Sequence, residues 1–189
     1  MHKIIMLKSL LLAATAVMGL AVTTVRAQET VNVGGQAMYT TKDIVDNAVN
    51  SADHTTLVAA VKAAGLVETL KGKGPFTVFA PTNAAFNQLP AGTVDNLVKP
   101  ENKATLTKVL TYHVVAGQYT ASKLMKEIKK GGGSATLTTV EGGKLMARMN
   151  GPMNIVIEDE SGNVADISTY DVVQSNGVIQ VVDKVLMPK

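Results

Sequence analysis

Cysteine is absent from the whole chain, and tryptophan with it. Without thiols there is no disulfide framework, no cysteine nucleophile and no lipid-bearing N-terminal cysteine, so the hydrophobic core has to hold the fold alone. Histidine is nearly as scarce: beyond His2 there are only His54 and His113, which fall in different elements with no carboxylate at ligand spacing to either. Such a distribution offers none of the clustered ligands a metal centre requires. No Gly-x-Ser-x-Gly elbow occurs, and the one glycine cluster, Gly131-Gly-Gly133, opens a strand pattern where a phosphate cradle would open a helix. The acidic run Glu158-Asp159-Glu160-Ser-Gly-Asn163 lacks the alternating oxygen ligands and closing Glu of a calcium loop, and reads as a hairpin tip. Arg-Gly-Asp and Asn-x-Ser/Thr are both missing.

An excess of positive charge is also lacking once the first residues are set aside. Lys3 and Lys8 precede an apolar run from Ser9 to Val22, followed by Val25-Arg26-Ala27, with small residues at the two positions a signal peptidase reads. This is the pattern of a secretory leader over residues 1–27, cleaved after Ala27, and its apolar run is short of the ~20 residues a membrane span needs. The 18 Lys and Arg include Lys3, Lys8 and Arg26, so the remainder carries 15 charges of each sign. A neutral domain with no clustered basic surface is not built for nucleic acid. No later apolar stretch is long enough to cross a bilayer, and the expected location is the periplasm or the exterior.

What is present is concentrated first in Gly74 to Phe86, a stretch that reads as strand, stop and helix start. Phe76 to Ala80 is apolar on both sides of its alternation apart from Thr77, as a strand covered on both faces requires. Pro81 lacks an N–H and keeps Ala80 extended, so the strand ends there. Thr82 or Asn83 then serves as N-cap, with Phe86 spaced to turn back onto the sheet.

Thr77-Val-Phe-Ala-Pro-Thr-Asn-Ala-Ala-Phe86 resembles the first signature motif of the fasciclin domain family. Tyr112-His113 before Val114-Val115, and Asn176-Gly-Val-Ile-Gln-Val-Val-Asp-Lys-Val-Leu-Met-Pro188, resemble its second and third motifs. The resemblance runs from about Tyr39 to the end. It implies an α+β domain, a wedge-shaped β-sandwich with several short helices packed at one end. It also implies adhesive function, attached to Tyr112-His113 and the first motif. The positions it singles out are Thr77, Phe79, Pro81, Thr82, Asn83, Phe86, Tyr112, His113, Asn176, Gly177, Val178 and Asp183.

The pattern along the rest of the chain is compatible. Residues 28–38 show no sustained period and read as a flexible lead-in to a single domain over 39–189. Short helices are expected around Ile44 to Val49, from Ser51 or Asp53 to Gly65, over Leu66 to Leu70 and near Val94 to Val98. Longer ones follow from Glu101 to Thr111 and after Ser122 through Ile128. The lysines of Lys71-Gly-Lys-Gly74 read as solvated loop charges. Alternation then takes over in Thr136 to Val140, Lys144 to Met149, Asn154 to Glu158, Val164 to Ser168, Tyr170 to Gln174 and Val178 to Val182, an antiparallel meander that the strand at Phe76 must join. His113, at a junction of helix and strand, reads as a hydrogen-bonded core residue.

These features point to an exported, non-catalytic interaction or adhesion module with no cofactor, whose partner is a protein or a surface glycan. The alternative is a carrier of a lipophilic molecule, a carotenoid-like pigment or lipid. Its apolar groove would be lined by the Met-bearing helix around Leu124 to Ile128.

Overall fold

A computed structural model of the protein describes residues 30–189, so the leader expected over 1–27 lies outside the described residues. The chain begins with a hairpin, β1 (Thr30–Val33) and β2 (Gln36–Tyr39). Helices α1 (Ile44–Ala48), α2 (Thr55–Ala64) and α3 (Val67–Lys71) lead to strand β3 (Phe76–Pro81). After α4 (Asn83–Phe86), α5 (Thr93–Leu97) and α6 (Lys103–Tyr112) come β4 (Val114–Ala116) and α7 (Ala121–Lys130). The last third is all strand: β5 (Ser134–Thr138), β6 (Lys144–Met149), β7 (Ile155–Glu158), β8 (Val164–Gln174) and β9 (Gly177–Val182).

Seven strands form one sheet in the order β4-β3-β9-β8-β7-β6-β5. Only β3 and β9 run parallel, with Thr77 opposite Val178 and Phe79 opposite Gln180; the other pairs are antiparallel. The meander read from the alternation is there, and the strand at Phe76 joins it through β9. One long strand, β8, replaces the expected two, because two register shifts between Ile167 and Val172 bend it without ending it. The bend lets the sheet curl until its edges meet. Val115 bridges Thr139, and the Val140 N–H donates to the Val114 carbonyl at 2.7 Å. Joining the edges in this way leaves few unpaired strand groups to template aggregation.

Curling divides the apolar residues between two cores. Val78 and Ala80 of β3, with Ile179 and Val181 of β9, face a layer built from α1 to α6, in which Leu57, Val61, Leu106, Val109 and Leu110 are buried. Phe79 and Val182 face the other way, into the interior of the curled sheet with Leu145, Ile155 and Ile157. The first six helices are therefore grouped at one end, and α7 packs apart from them, its Leu124 and Ile128 inserted into the second core. α+β describes the result, as the resemblance implied.

Local departures from the sequence reading have local causes. The expected low-order lead-in over 28–38 is corrected from residue 30 onward: it forms the β1–β2 hairpin. Four-residue strands are too short to show a period. The signal was the turn, where Gly34 and Gly35 take φ of 59° and 74°, values a two-residue hairpin loop demands and glycine reaches freely. Val33 and Met38 are buried, and the Asn47 side chain fastens the hairpin to α1 by accepting from the Tyr39 N–H (2.9 Å) and donating to its carbonyl (2.7 Å). Helix α7 is capped by Thr120, which accepts from the Lys123 N–H, and Ser122 lies inside its first turn. Lys71, expected to be solvated, pairs with Asp46 at 2.5 Å and Asp43 at 3.6 Å, which ties α3 to α1 across the surface.

Phe79 is fully buried where the sheet is covered on both sides. Truncation to alanine leaves a cavity that close packing cannot refill, and Phe79→Ala is expected to lower the unfolding free energy by about 3 to 5 kcal/mol. Denaturant melts measure it; a loss under ~1 kcal/mol, the range of surface sites, would show that the site is not the packing centre described.

Candidate functional site

The twelve motif positions lie along the β3–β9 pair and at both of its ends, in α4 and its cap, and at the end of α6. In the first motif the Thr77 hydroxyl donates to the Gly117 carbonyl (2.6 Å) and accepts from the Tyr119 N–H (2.8 Å), holding the segment after β4. Pro81 closes β3, opposite Val182. Thr82 caps α4 by accepting from the Ala85 N–H at 3.2 Å. Asn83 is therefore free of capping and reaches the start of α2: its Oδ1 accepts from the Thr56 N–H (3.0 Å) and the Thr55 hydroxyl (3.2 Å), and its amide donates to the Ala52 carbonyl (2.8 Å). Phe86 turns into the helix-side core.

In the second motif Tyr112 is fully buried, its hydroxyl donating to the Lys144 carbonyl (2.7 Å) and accepting from the Glu160 N–H (3.0 Å). Burial pushes this phenol up to about 12, so it stays protonated and keeps both bonds. His113 is equally enclosed. Its Nε2 accepts from the Leu186 N–H (2.9 Å), which leaves Nδ1 carrying the proton it donates to the Val109 carbonyl (2.8 Å). The ring thus joins the last turn of α6 to the C-terminal segment. Burial drives its pKa down to about 4, because a charged imidazolium has no solvation there.

The third motif opens on Asn176, whose Oδ1 accepts from the Ile44 N–H (3.0 Å) and whose amide donates to the carbonyls of Leu70 (2.8 Å) and Gly72 (3.2 Å). Gly177 is required by close approach: a Cβ there would sit 2.1 Å from the Phe76 carbonyl oxygen. Val178 is fully buried, and Asp183 accepts from the Asp166 N–H at 2.7 Å.

Other polar groups do similar work without standing out in the sequence. Asp159, within the acidic run, is buried and accepts from the N–H groups of Ser161, Asn163 and Met187 and from the Asn163 amide. It closes the hairpin tip and holds the C-terminal segment. Gln180 faces Asp171, donating to its carboxylate (2.8 Å) and accepting from its N–H (3.0 Å), and buried Asn47 donates to Gln174. Isolated Gln and Asn in apolar strands and helices were the available signal, since buried amides need partners. Among the described residues, no three His, Asp or Glu side chains are grouped to hold a metal ion.

The groove expected along α7 is absent. Leu124 and Ile128 are spent on the second core and Met125 packs against it, so that helix has no free apolar face. Solvent meets the start of the third motif at a polar cleft of about 450 Å³, where Lys73, Pro75, Gln118 and Ser175 surround Asn176 and Gly177.

Comparison with known proteins agrees with this geometry. The Fasciclin domain model matches residues 52–188. The chain belongs to the fasciclin domain family. A Synechocystis protein, sll1483, is 47% identical over 146 residues, covering 77% of this chain and 73% of that protein. The cell surface glycolipoprotein MPB83 of Mycobacterium bovis is 34% identical over 167 residues, covering 86% of this chain and 68% of its own length. Among solved structures, the FAS1 domain pair of the insect cell adhesion molecule fasciclin I superposes with a TM-score of 0.68 at 19% identity, covering 77% of this chain and 51% of that one. The last likeness shows the fasciclin fold. Among the described residues no helix is long and apolar enough to cross a membrane.

Replacing His113 tests the second motif directly. His113→Gln cannot satisfy both the Val109 carbonyl and the Leu186 N–H, and is expected to cost about 1 to 3 kcal/mol at neutral pH. Zinc or copper should leave the melting of both proteins unchanged. The neutral ring's contribution is complete above the unfolded-state value of 6.5 and is lost as pH falls toward about 4, because only the unfolded chain takes up the proton in that window. Between pH 7 and pH 4 the wild type should therefore lose roughly 2 to 3 kcal/mol more than the variant. Parallel pH dependences would contradict the buried neutral imidazole.

Proposed function

We propose that the protein is an exported, non-catalytic interaction module that works at the cell surface or in the envelope, binding a protein or glycan through its exposed faces. One observation carries this reading. The polar side chains of the family motifs, Thr77, Asn83, Tyr112, His113, Asn176 and Asp183, are engaged inside the domain, so they make the scaffold and leave recognition to the surface around it. Membership of the fasciclin family and similarity to a cell surface glycolipoprotein support the location. The leader pattern of residues 1–27 supports export. No catalytic residue or cofactor is part of the proposal. A pigment or lipid carrier has less behind it, since the helix that was to line its groove is packed on both ends of its apolar stripe.

The polar cleft beside Asn176 is an exposed surface at the third motif, and its Lys73 and Gln118 can be changed without touching the core. Binding of the purified protein to intact cells and isolated envelope of its host is the test. Lys73→Glu with Gln118→Ala should weaken binding about tenfold, roughly 1.4 kcal/mol, with the melting temperature unchanged. Asn83→Ala should do the reverse, lowering the melting temperature while the folded protein binds normally. Absence of saturable binding to any host surface would overturn the reading.

A further inference from the structure

Between the helical layer and the sheet lies a cavity of about 260 Å³. Val78, Ala80 and Ile179 form its floor, and Ile44, Leu57 and Val61 come down from α1 and α2 to form its roof. The ion-paired Lys71 and Asp46 stand at its rim. Natural cores leave few voids larger than a water molecule, because unfilled space forfeits the dispersion contacts of its walls. Open space of this size within a family core therefore asks for an occupant.

A second feature points to what that occupant is. His54 lines the cavity and is 3% exposed, and its Nε2 is the one buried side-chain nitrogen or oxygen, among the described residues, without a hydrogen-bond partner. The Ser51 hydroxyl, also in the lining, lies 2.8 Å from Nδ1. With that hydroxyl donating, the ring proton sits on Nε2, which becomes a donor. The Ala80 backbone carbonyl lies close enough to act on the ring as a hydrogen-bond acceptor, which fits a proton on Nε2, but its placement is too loose to make it a full partner. Buried polar groups are almost always partnered, and such an exception calls for a missing group. Water is a poor filling, since it needs two to four polar partners and most of these walls are apolar.

We infer that this cavity is a binding site for a compact apolar molecule bearing one oxygen acceptor, a carbonyl or hydroxyl, with the His54 Nε2–H as the group that recognises that oxygen. Size narrows the class. An apolar cavity of about 150 Å³ accommodates benzene, so this one takes roughly ten non-hydrogen atoms. A carotenoid chain is several times larger. The inference is independent of the surface-interaction proposal, and failure of either leaves the other standing.

Two probes of equal size separate the elements of the claim: acetophenone, which carries a carbonyl, and isopropylbenzene, which does not. In a titration followed by amide chemical shifts, both should give saturable changes confined to residues lining the cavity, with acetophenone binding about tenfold more tightly, the worth of one hydrogen bond. In His54→Phe the preference should fall to about one while isopropylbenzene still binds. Val61→Phe fills the space and should abolish binding of both, with thermal melts establishing that each variant is folded. Should His54→Phe fail to fold, the wild-type preference and Val61→Phe still decide the matter. No saturable binding, a cavity that holds water only, or shifts scattered over the surface would overturn the site. Equal affinity for the two probes would overturn the role of His54.

Discussion

The parallel pairing of β3 with β9 is the constraint on which the rest of the molecule depends. It joins Phe76–Pro81 to Gly177–Val182, about a hundred residues apart in the chain, and its register is fixed by contact between backbones. The Phe76 N–H donates to the Asn176 carbonyl at 3.1 Å, while Gly74 and Gly177 approach backbone so closely that a Cβ at either would fall about 2 Å from a carbonyl oxygen. Because alternate residues of both strands face opposite cores, a slip of one position would send Phe79 into the helical layer and Val78 into the curled sheet. Both cores are thus specified by one register.

Polar motif side chains then tie other elements to that pair. Asn176 reaches α1 and the end of α3, Thr77 reaches the segment after β4, and Asn83 reaches the start of α2. His113 and Asp159 hold the C-terminal segment from opposite sides, through the N–H groups of Leu186 and Met187. Asn176, Thr77, Asn83 and His113 make these ties as neutral groups, without the desolvation penalty of a charge, and the Asp159 carboxyl group is compensated by four N–H donors. His113, kept neutral by its burial, behaves as one more amide-like linker. This explains why residues with chemical potential, a tyrosine beside a histidine, leave no reactive group facing solvent.

Much of this was legible from the residues. Phe76 to Phe86 announced a strand, its end and a helix because aromatic and β-branched residues, Pro81 and a capping Thr82 all agree on one local structure. The meander was legible from period-two alternation, although β8 read as two strands since a bend at Ser168 to Asp171 breaks the pattern while the ladder continues. The β1–β2 hairpin was missed because four-residue strands carry too few positions for a period, and Ser122 stood in for Thr120, the actual cap of α7, because serine is the more favoured capping residue of the two. The twelve motif positions came from resemblance. Their inward roles, the cavity beside His54 and the buried Asp159 arise from contacts between distant segments, which no local pattern encodes.

Native-state hydrogen exchange tests the dependence on β3 and β9 most directly. If their pairing is the element the others rest on, the amides of Val78 to Ala80 and of Val178 to Val181 should exchange only through global unfolding, at the free energy measured by denaturant, with the β5–β6 hairpin and the β1–β2 hairpin opening at lower cost. The account would be contradicted if β3 and β9 exchanged through local opening while β5 and β6 remained protected.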